Sequence, residues 1–424
     1  MKRITLLVVL AGCFGGGNAP QPAPGVTPLF VLPPATGNVC TSSAYIGNVA
    51  IGMVHGYAIT VPYIPDGPDF NCCPNNGQCP MPDQSLAQLY VFDKQGGSDG
   101  MSFAMAPSSG DFADMRIAVE NPDTPIWAYA TGSSITLSST TTSDFATIPS
   151  VGGNQLVPAG LVTDATSIYV AGWGGSDRVA VENPDYPCCG GGGTNGGNSG
   201  AAFSRVDISS NAVSALPVTP TPQFACDSTA RCLVSTPNDL VYFDQSAGPT
   251  SRTVQAFSKV TEATQTLETI DNGLVPVGLV ANMTNAAWAE SPDYINSNNG
   301  ALPQPACQIG VWDLSSPNGQ AVFMTSSFSC MGLALDGTTV YTLIVAPDRG
   351  DCGGCTPTLD GIGIARFSIS NPMGTFEALD LDLKGAVGPR RLVIDSTGEL
   401  FLIDAATVFS IDKNALAGKH DFMP

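Results

Sequence analysis

The chain is poor in histidine and in positive charge. It has 2 histidines among 424 residues, and 16 lysines and arginines against 36 aspartates and glutamates, which gives a formal net charge of −20. So few imidazoles argue against zinc hydrolysis and against histidine-based acid–base catalysis. So acidic a surface repels nucleic acid, whose affinity for proteins rests on lysine and arginine. We expect no nucleic-acid partner. The charge favours solubility, or attraction of divalent cations or basic partners.

Long apolar runs and helical periodicity are also missing. The apolar run at residues 4–11 is far shorter than the ~20 residues that a membrane-spanning helix needs, and no later run is apolar enough. Short stretches of alternating apolar and polar residues, separated by Gly, Asn, Asp, Ser and Pro, are present instead. This pattern predicts an all-β protein.

The first thirteen residues, MKRITLLVVLAGC, resemble a bacterial lipoprotein signal peptide with its lipobox. Lys2 and Arg3 precede the apolar run, and small residues precede Cys13. The resemblance implies cleavage before Cys13, acylation of that cysteine, and anchoring to a membrane, which several acyl chains make stable. Phe14 after the cysteine, instead of Asp, indicates the outer membrane. The alternative is an ordinary secretory signal in which Cys13 is incidental.

The signal peptide divides the chain into segments and indicates that its cysteines form disulfides. We predict a signal peptide at residues 1–12, a Gly- and Pro-rich tether at 13–37 and a folded domain at 38–424. The chain has 13 cysteines. If Cys13 is lipidated, an even number remains, and in an exported protein an even number indicates disulfides.

Two patterns recur along the folded domain. The first is an apolar strand, a tight polar turn and a strand with Tyr, Trp or Phe. Copies of it start at Gly160, Cys232, Gly278, Gly332 and Arg391. The second pattern follows each copy, as in AFSRVDIS from Ala202 and VFSIDKN from Val408. The tight turns are placed near His55, Asn121, Asp164, Thr236, Asn282, Asp336 and Asp395.

These repeats predict a β-propeller, because a four-stranded meander at this period is typical of a propeller blade. We count seven blades, with six or eight as alternatives. The last unit ends after its third strand. Phe30-Val31-Leu32 or Asn38-Val39 is therefore expected to supply the missing strand and close the ring. Residues 46–412 resemble bacterial propellers of the NHL, YVTN and quinoprotein-like groups. That resemblance implies the fold and chooses no activity, since such propellers include lyases, lactonases, dehydrogenases, assembly factors and binding scaffolds.

The loops between second and third strands are long and rich in cysteine. They cover residues 65–86, 183–199, 291–307 and 347–360. Every cysteine after Cys40 falls in such a loop or near a link between blades, which places all of them on one side of the ring. The nearest candidate disulfides are Cys226–Cys232 and Cys352–Cys355, with Cys307 and Cys330 as a pair across neighbouring blades. The adjacent pairs at 72–73 and 188–189 either form vicinal disulfides or bond elsewhere.

The same loops carry carboxylates and aromatic side chains. A Pro-Asp pair occurs in four loops, at Asp66, Asp185, Asp293 and Asp348, and the second blade adds Asp123. Together these carboxylates could bind calcium on one rim. The alternative is turn chemistry, in which Asp bonds its own backbone. Tyr186 and Tyr294 follow two of these aspartates and offer aromatic surface to a ligand. No cofactor is predicted apart from possible calcium.

The sequence therefore favours a monomeric binding or scaffolding module of the cell envelope, with a protein or glycan partner, over an enzyme. Residues 96–100 match a nucleophile elbow, but the strand-like stretch after them and the lack of a histidine base argue against catalysis. The alternatives are a propeller enzyme and an outer-membrane assembly component. The enzyme would be a calcium- or carboxylate-dependent hydrolase or lyase, or a quinoprotein-like oxidoreductase.

Overall fold

The fold is all-β, as the sequence predicts. The computed structural model describes residues 23–32, 43–63, 86–96, 101–104, 115–120, 123–150, 156–174, 202–218, 222, 224, 232–246, 251–270, 274–292, 307–316, 321–326, 329–347, 359–371, 377–381, 391–404 and 406–418. These residues form seven four-stranded antiparallel sheets, the seven blades of a β-propeller.

Each of the first three blades is a meander of four consecutive strands. Blade 1 contains β2 (Ser43–Ile51), β3 (His55–Tyr63), β4 (Gln88–Asp93) and β5 (Met101–Ala104). Blade 2 contains β6 (Arg116–Glu120), β7 (Thr124–Thr131), β8 (Ser134–Ser139) and β9 (Ala146–Pro149). Blade 3 contains β10 (Leu156–Thr163), β11 (Ser167–Gly174), β12 (Ala202–Asp207) and β13 (Val213–Ala215).

The next three blades repeat this order. Blade 4 contains β14 (Leu233–Ser235), β15 (Asp239–Asp244), β16 (Arg252–Ser258) and β17 (Thr264–Ile270). Blade 5 contains β18 (Leu274–Ala281), β19 (Asn285–Pro292), β20 (Cys307–Asp313) and β21 (Val322–Ser326). Blade 6 contains β22 (Ser329–Asp336), β23 (Thr339–Pro347), β24 (Leu359–Ser368) and β25 (Glu377–Asp380).

Blade 7 is built from both ends of the chain, which confirms the predicted closure. It contains β26 (Arg391–Ile394), β27 (Leu400–Asp404) and β28 (Thr407–Ile411), and its outermost strand is β1 (Val26–Val31). β1 pairs antiparallel with β28, and Val31 lies opposite Thr407. β1 lies inside the stretch predicted as a tether, so the sheet includes residues that precede position 38. A short 3-10 helix at Lys413–Leu416 follows β28.

The hydrophobic core lies between neighbouring blades. The first strands of successive blades contact one another, and β2 also contacts β27, which completes the ring. At this junction Phe30 and Phe401 of blade 7 pack in one cluster with Ile46, Ala58 and Phe92 of blade 1. Each blade thus buries its apolar side chains against the next, so the stability of each blade depends on its neighbours.

The ring has two distinct sides. The turns between first and second strands leave from one side, which we call the turn face. The connections between second and third strands and the links between blades leave from the other side, which we call the loop face. Six of the predicted first-turn residues lie at or next to the end of a first strand or the start of a second strand, and Asn121 lies outside the described residues.

Candidate functional site

The predicted ligand-binding residues belong to connections on the loop face. The four long loops join β3 to β4, β11 to β12, β19 to β20 and β23 to β24, which are second and third strands as predicted. Asp66, Asp185, Tyr186, Asp293, Tyr294 and Asp348 lie outside the described residues, and so do Cys13, Cys226, Cys352 and Cys355. Calcium binding by these aspartates stays a prediction.

A disulfide joins blades 5 and 6 at the loop face. Cys307, the first residue of β20, bonds to Cys330 in β22, and their Cα atoms are 5.5 Å apart. Both cysteines are buried. The pairing predicted across neighbouring blades is therefore confirmed. Cys232, directly before β14, is also disulfide-bonded, and its partner lies outside the described residues.

A buried carboxylate lies close to this disulfide. The Nε1 group of Trp288 donates a hydrogen bond of 2.8 Å to Oε1 of Glu290, and only 1% of Glu290 is exposed. The Sγ atom of Cys330 lies 3.8 Å from the carbonyl oxygen of Glu290. Gly310 pairs with Trp288 across the strands, and a Cβ at position 310 would lie 2.3 Å from the indole. Glycine there lets the indole reach the carboxylate at the base of the β19–β20 connection. The sequence analysis missed this pair, because both residues lie in an ordinary apolar strand pattern.

The turn face carries ion pairs that join neighbouring blades. Three lysines that follow third strands contact aspartates at the first turn of the preceding blade. The pairs are Lys94–Asp395 between blades 1 and 7, Lys259–Asp164 between blades 4 and 3, and Lys413–Asp336 between blades 7 and 6. We call Lys94, Lys259 and Lys413 the inter-blade lysines. Their common signal in the sequence is a lysine directly after the third-strand pattern, as in VFDK, AFSK and FSIDK.

Hydrogen bonds tune the carboxylates of two of these pairs. Burial by itself would raise the pKa of Asp164, but hydrogen bonds from Lys259 and the Thr166 backbone, with the charge of Lys259, lower that pKa to about 2. Burial by itself would raise the pKa of Asp395 as well. Hydrogen bonds from Lys94 and Thr397 outweigh the effect of burial, so the pKa of Asp395 is lowered. Both aspartates are therefore charged at neutral pH, and both pairs are ionic.

A fourth contact between blades involves Asp123, which the sequence analysis grouped with the loop aspartates. That grouping is wrong, because Asp123 lies in the turn between β6 and β7 on the turn face. Its Oδ2 atom lies 2.5 Å from Nδ1 of His55. The Tyr57 hydroxyl donates to the Asp123 carbonyl at 2.5 Å, and burial, followed by the Asp123 carboxylate, raises the pKa of Tyr57 to about 12. These contacts join blades 1 and 2.

The first strands enclose a central channel with a cavity of about 320 Å³. Arg391, Asn48 and Arg116 lie at equivalent positions of blades 7, 1 and 2 in its wall. In blades 3, 5 and 6 the equivalent residues are Gly160, Gly278 and Gly332. Each of these glycines directly follows a shift in the pairing register of its first strand. Blade 1 has the same shift before Asn48. Polar side chains therefore occupy one sector of the channel wall at this level.

Hydrogen bonds connect the residues of this sector around the channel. Arg391 Nη1 donates to Asn48 Oδ1 at 3.1 Å, and Asn48 Nδ2 donates to the carbonyl of Met115 at 2.7 Å. Arg116 donates through Nη1 to the same carbonyl at 3.0 Å and through Nε to the carbonyl of Ala159 at 3.2 Å. These bonds cross from blade 7 to blade 3, and they hold two guanidinium groups in the wall of the channel.

In the described part of the chain no helix is long and apolar enough to cross a membrane. No group of three or more His, Cys, Asp or Glu side chains in the same residues is arranged to hold a metal ion.

No protein-family model and no curated protein sequence matches this chain. Solved structures resemble it in fold. A chain of a mitotic checkpoint complex is 10% identical, with a TM-score of 0.50 over 95% of this chain and 98% of that one. Kuenenia stuttgartiensis hydrazine synthase is 9% identical, with a TM-score of 0.50 over 90% and 98%. A streptogramin B lyase is 10% identical, with a TM-score of 0.49 over 91% and 97%. At such identities the likeness to the first two structures shows a shared fold alone.

Proposed function

We propose that this protein is an exported, lipid-anchored propeller that binds a protein or glycan partner at the cell envelope through its loop face. The observation that carries the proposal is the asymmetry of the ring. Long connections with cysteine, Asp and Tyr leave the loop face, whereas the turn face has short turns joined by ion pairs. Loops on a rigid scaffold are where binding residues concentrate.

The disulfide supports this assignment. Long loops have little core of their own, and cross-links limit the entropy that they lose when they bind a partner. The Cys307–Cys330 bond fixes the C-terminal end of the β19–β20 connection to the first strand of the next blade. The disulfide therefore holds the C-terminal end of the loop that carries Asp293 and Tyr294. A disulfide also fits an exported protein, since disulfides persist in oxidising compartments.

Anchoring is tested by Cys13→Ser in bacterial cells. Without the acylated thiol, the protein is expected to move from the membrane fraction to the soluble exported fraction, because acyl chains supply the membrane affinity. The matched control is Asn18→Ser, which changes a tether residue outside the lipobox and should leave the protein with the membranes. Membrane retention of Cys13→Ser would show that lipidation of Cys13 is not the anchor.

Binding through the loop face is tested by photo-crosslinking in intact cells. A benzoylphenylalanine replaces Tyr186 or Tyr294 on the loop face, or Met283 or Val260 on the turn face as controls. Met283 and Val260 are exposed, at 78% and 75%. Specific adducts are expected from the tyrosine positions and not from the controls, and a glycan array probed with the same variants covers partners without protein. Adducts from the turn face alone, or no binding in either assay, would contradict the proposal.

A further inference from the structure

The central channel has a chemistry of its own, which the loop-face proposal does not use. Its wall contains Arg116 and Arg391 in a chain of net charge −20 with only 16 basic residues. The other charged residue in the described wall is Asp395, which is paired with Lys94. Positive charge is thus placed inside the ring, while most of the chain's charge is negative.

The two arginines are held in place by the protein. Their hydrogen bonds to Asn48, Met115 and Ala159 fix them along one sector of the wall. A guanidinium has five N–H donors in a fixed fork, which suits it to bind protein acceptors and an oxyanion together. Asn48 lies between them and can add an amide donor.

The rest of the cavity wall is mainly apolar. It includes Gly160 and Cys232, at the equivalent positions of blades 3 and 4, and aliphatic side chains such as Val162, Val280 and Leu335. A cavity of about 320 Å³ is in the range of small-molecule sites, which combine apolar walls with a few placed polar groups.

We propose that the channel binds a small molecule through its oxyanion group, phosphate or carboxylate, with Arg116 and Arg391 as its ligands. Such groups are what paired guanidiniums recognise best, because the fork donates two parallel charge-assisted hydrogen bonds. The site is distinct from the loop face, and it requires neither the lipid anchor nor the loop partner.

The test is calorimetric titration of the exported domain with inorganic phosphate and, separately, with citrate, at constant ionic strength set by chloride. Binding of either anion is expected, and the stronger of the two identifies the class of oxyanion. Arg116→Gln and Arg391→Gln are each expected to weaken that binding about tenfold, the loss of one charge-assisted hydrogen bond. The control, Arg205→Gln, removes an equal charge from an exposed position on β12 and should bind as the unchanged protein does.

Two further measurements distinguish loss of anion binding from misfolding of a variant. Arg116→Lys and Arg391→Lys keep the charge and lose the fork, so they should bind with intermediate affinity, and near-ultraviolet circular dichroism checks each fold. Absence of binding by both anions would overturn the proposal. Equal weakening in Arg205→Gln would also overturn it, because it would show that the overall charge of the protein governs binding.

Discussion

A chain that begins at residue 33 is expected to lose cooperative folding, whereas a chain that begins at residue 23 keeps it. The shorter chain lacks β1, the outermost strand of blade 7. Its absence leaves the outer edge of β28 without a partner strand, although β28 still pairs with β27, and uncovers the apolar cluster between blades 7 and 1. Open edges and exposed cores lead to aggregation. Urea unfolding and size-exclusion chromatography measure the difference.

Point substitutions within β1 separate the strand's packing from its presence. Phe30 is buried and stacks on Phe92, with ring centroids 5.4 Å apart, whereas the neighbouring Val31 is 58% exposed. Phe30→Ala should lower the free energy of unfolding by about 3–5 kcal/mol, the usual cost of emptying a phenylalanine site in a core. Val31→Ala should stay within about 0.5 kcal/mol. Similar losses in the free energy of unfolding from the two substitutions would show that the packing of Phe30 in β1 does not stabilise the closed ring.

Lys94→Met is expected to be the most destabilising substitution of an inter-blade lysine, at about 3–5 kcal/mol. The side chains of Lys94 and Asp395 are 6% and 0% exposed, and removing the lysine leaves a buried carboxylate unpaired. The same ammonium group donates to the carbonyl of Met53 at 3.2 Å and lies 3.3 Å from Glu399. This pair also joins the first blade to the last, so that its loss weakens ring closure.

The other two inter-blade lysines are matched comparisons. The side chains of Lys413 and Asp336 are 29% and 38% exposed, and exposed pairs contribute about 0–1 kcal/mol, so Lys413→Met should cost about that much. The side chains of Lys259 and Asp164 are 9% and 24% exposed, and Lys259 also donates to Ser235 and Thr236, so the cost of Lys259→Met should lie between those of the other two substitutions. Urea unfolding of the three variants measures the order. Equal losses would show that burial does not set the strength of these pairs.

The pH dependence of the Lys259 pair follows from the pKa of Asp164. That pKa falls from its ordinary value of 3.8 to about 2, so the folded state prefers the charged carboxylate. The pair therefore stabilises the fold above about pH 4, and this contribution is lost as the pH falls toward 2. Lys259→Met should lose less stability than the unchanged protein over this interval.

The sequence predicted the fold well because the signals of a propeller repeat lie close together in the sequence. Each blade contains its own alternation, tight turn and aromatic second strand, and these signals lie within a few tens of residues. The missing fourth strand of the last unit predicted closure by an N-terminal strand, and Phe30 and Val31 lie in that strand. The full extent of β1 was not predicted, because Gly and Pro surround it in the sequence and it pairs with β28 at the far end of the chain.

The contacts between blades could not be predicted in the same way. Lys94 and Asp395 are separated by 301 residues, and Arg391 and Asn48 by 343. Each of these residues belongs to an ordinary turn or strand position, so its local pattern indicates a solvated side chain. Only their placement on adjacent blades makes an ion pair or a polar sector in the channel wall.

The sequence by itself determined the architecture: four-stranded blades counted as seven, their turns and the closure from the N-terminus, with Cys307 and Cys330 as one candidate disulfide. It did so because alternation and turn chemistry act over short ranges and recur in every blade. Only the tertiary structure decided which charges meet. Curving the repeats into a ring brings Lys94 to Asp395 and lines the channel with Arg116 and Arg391, because neighbours in the ring include residues from opposite ends of the chain.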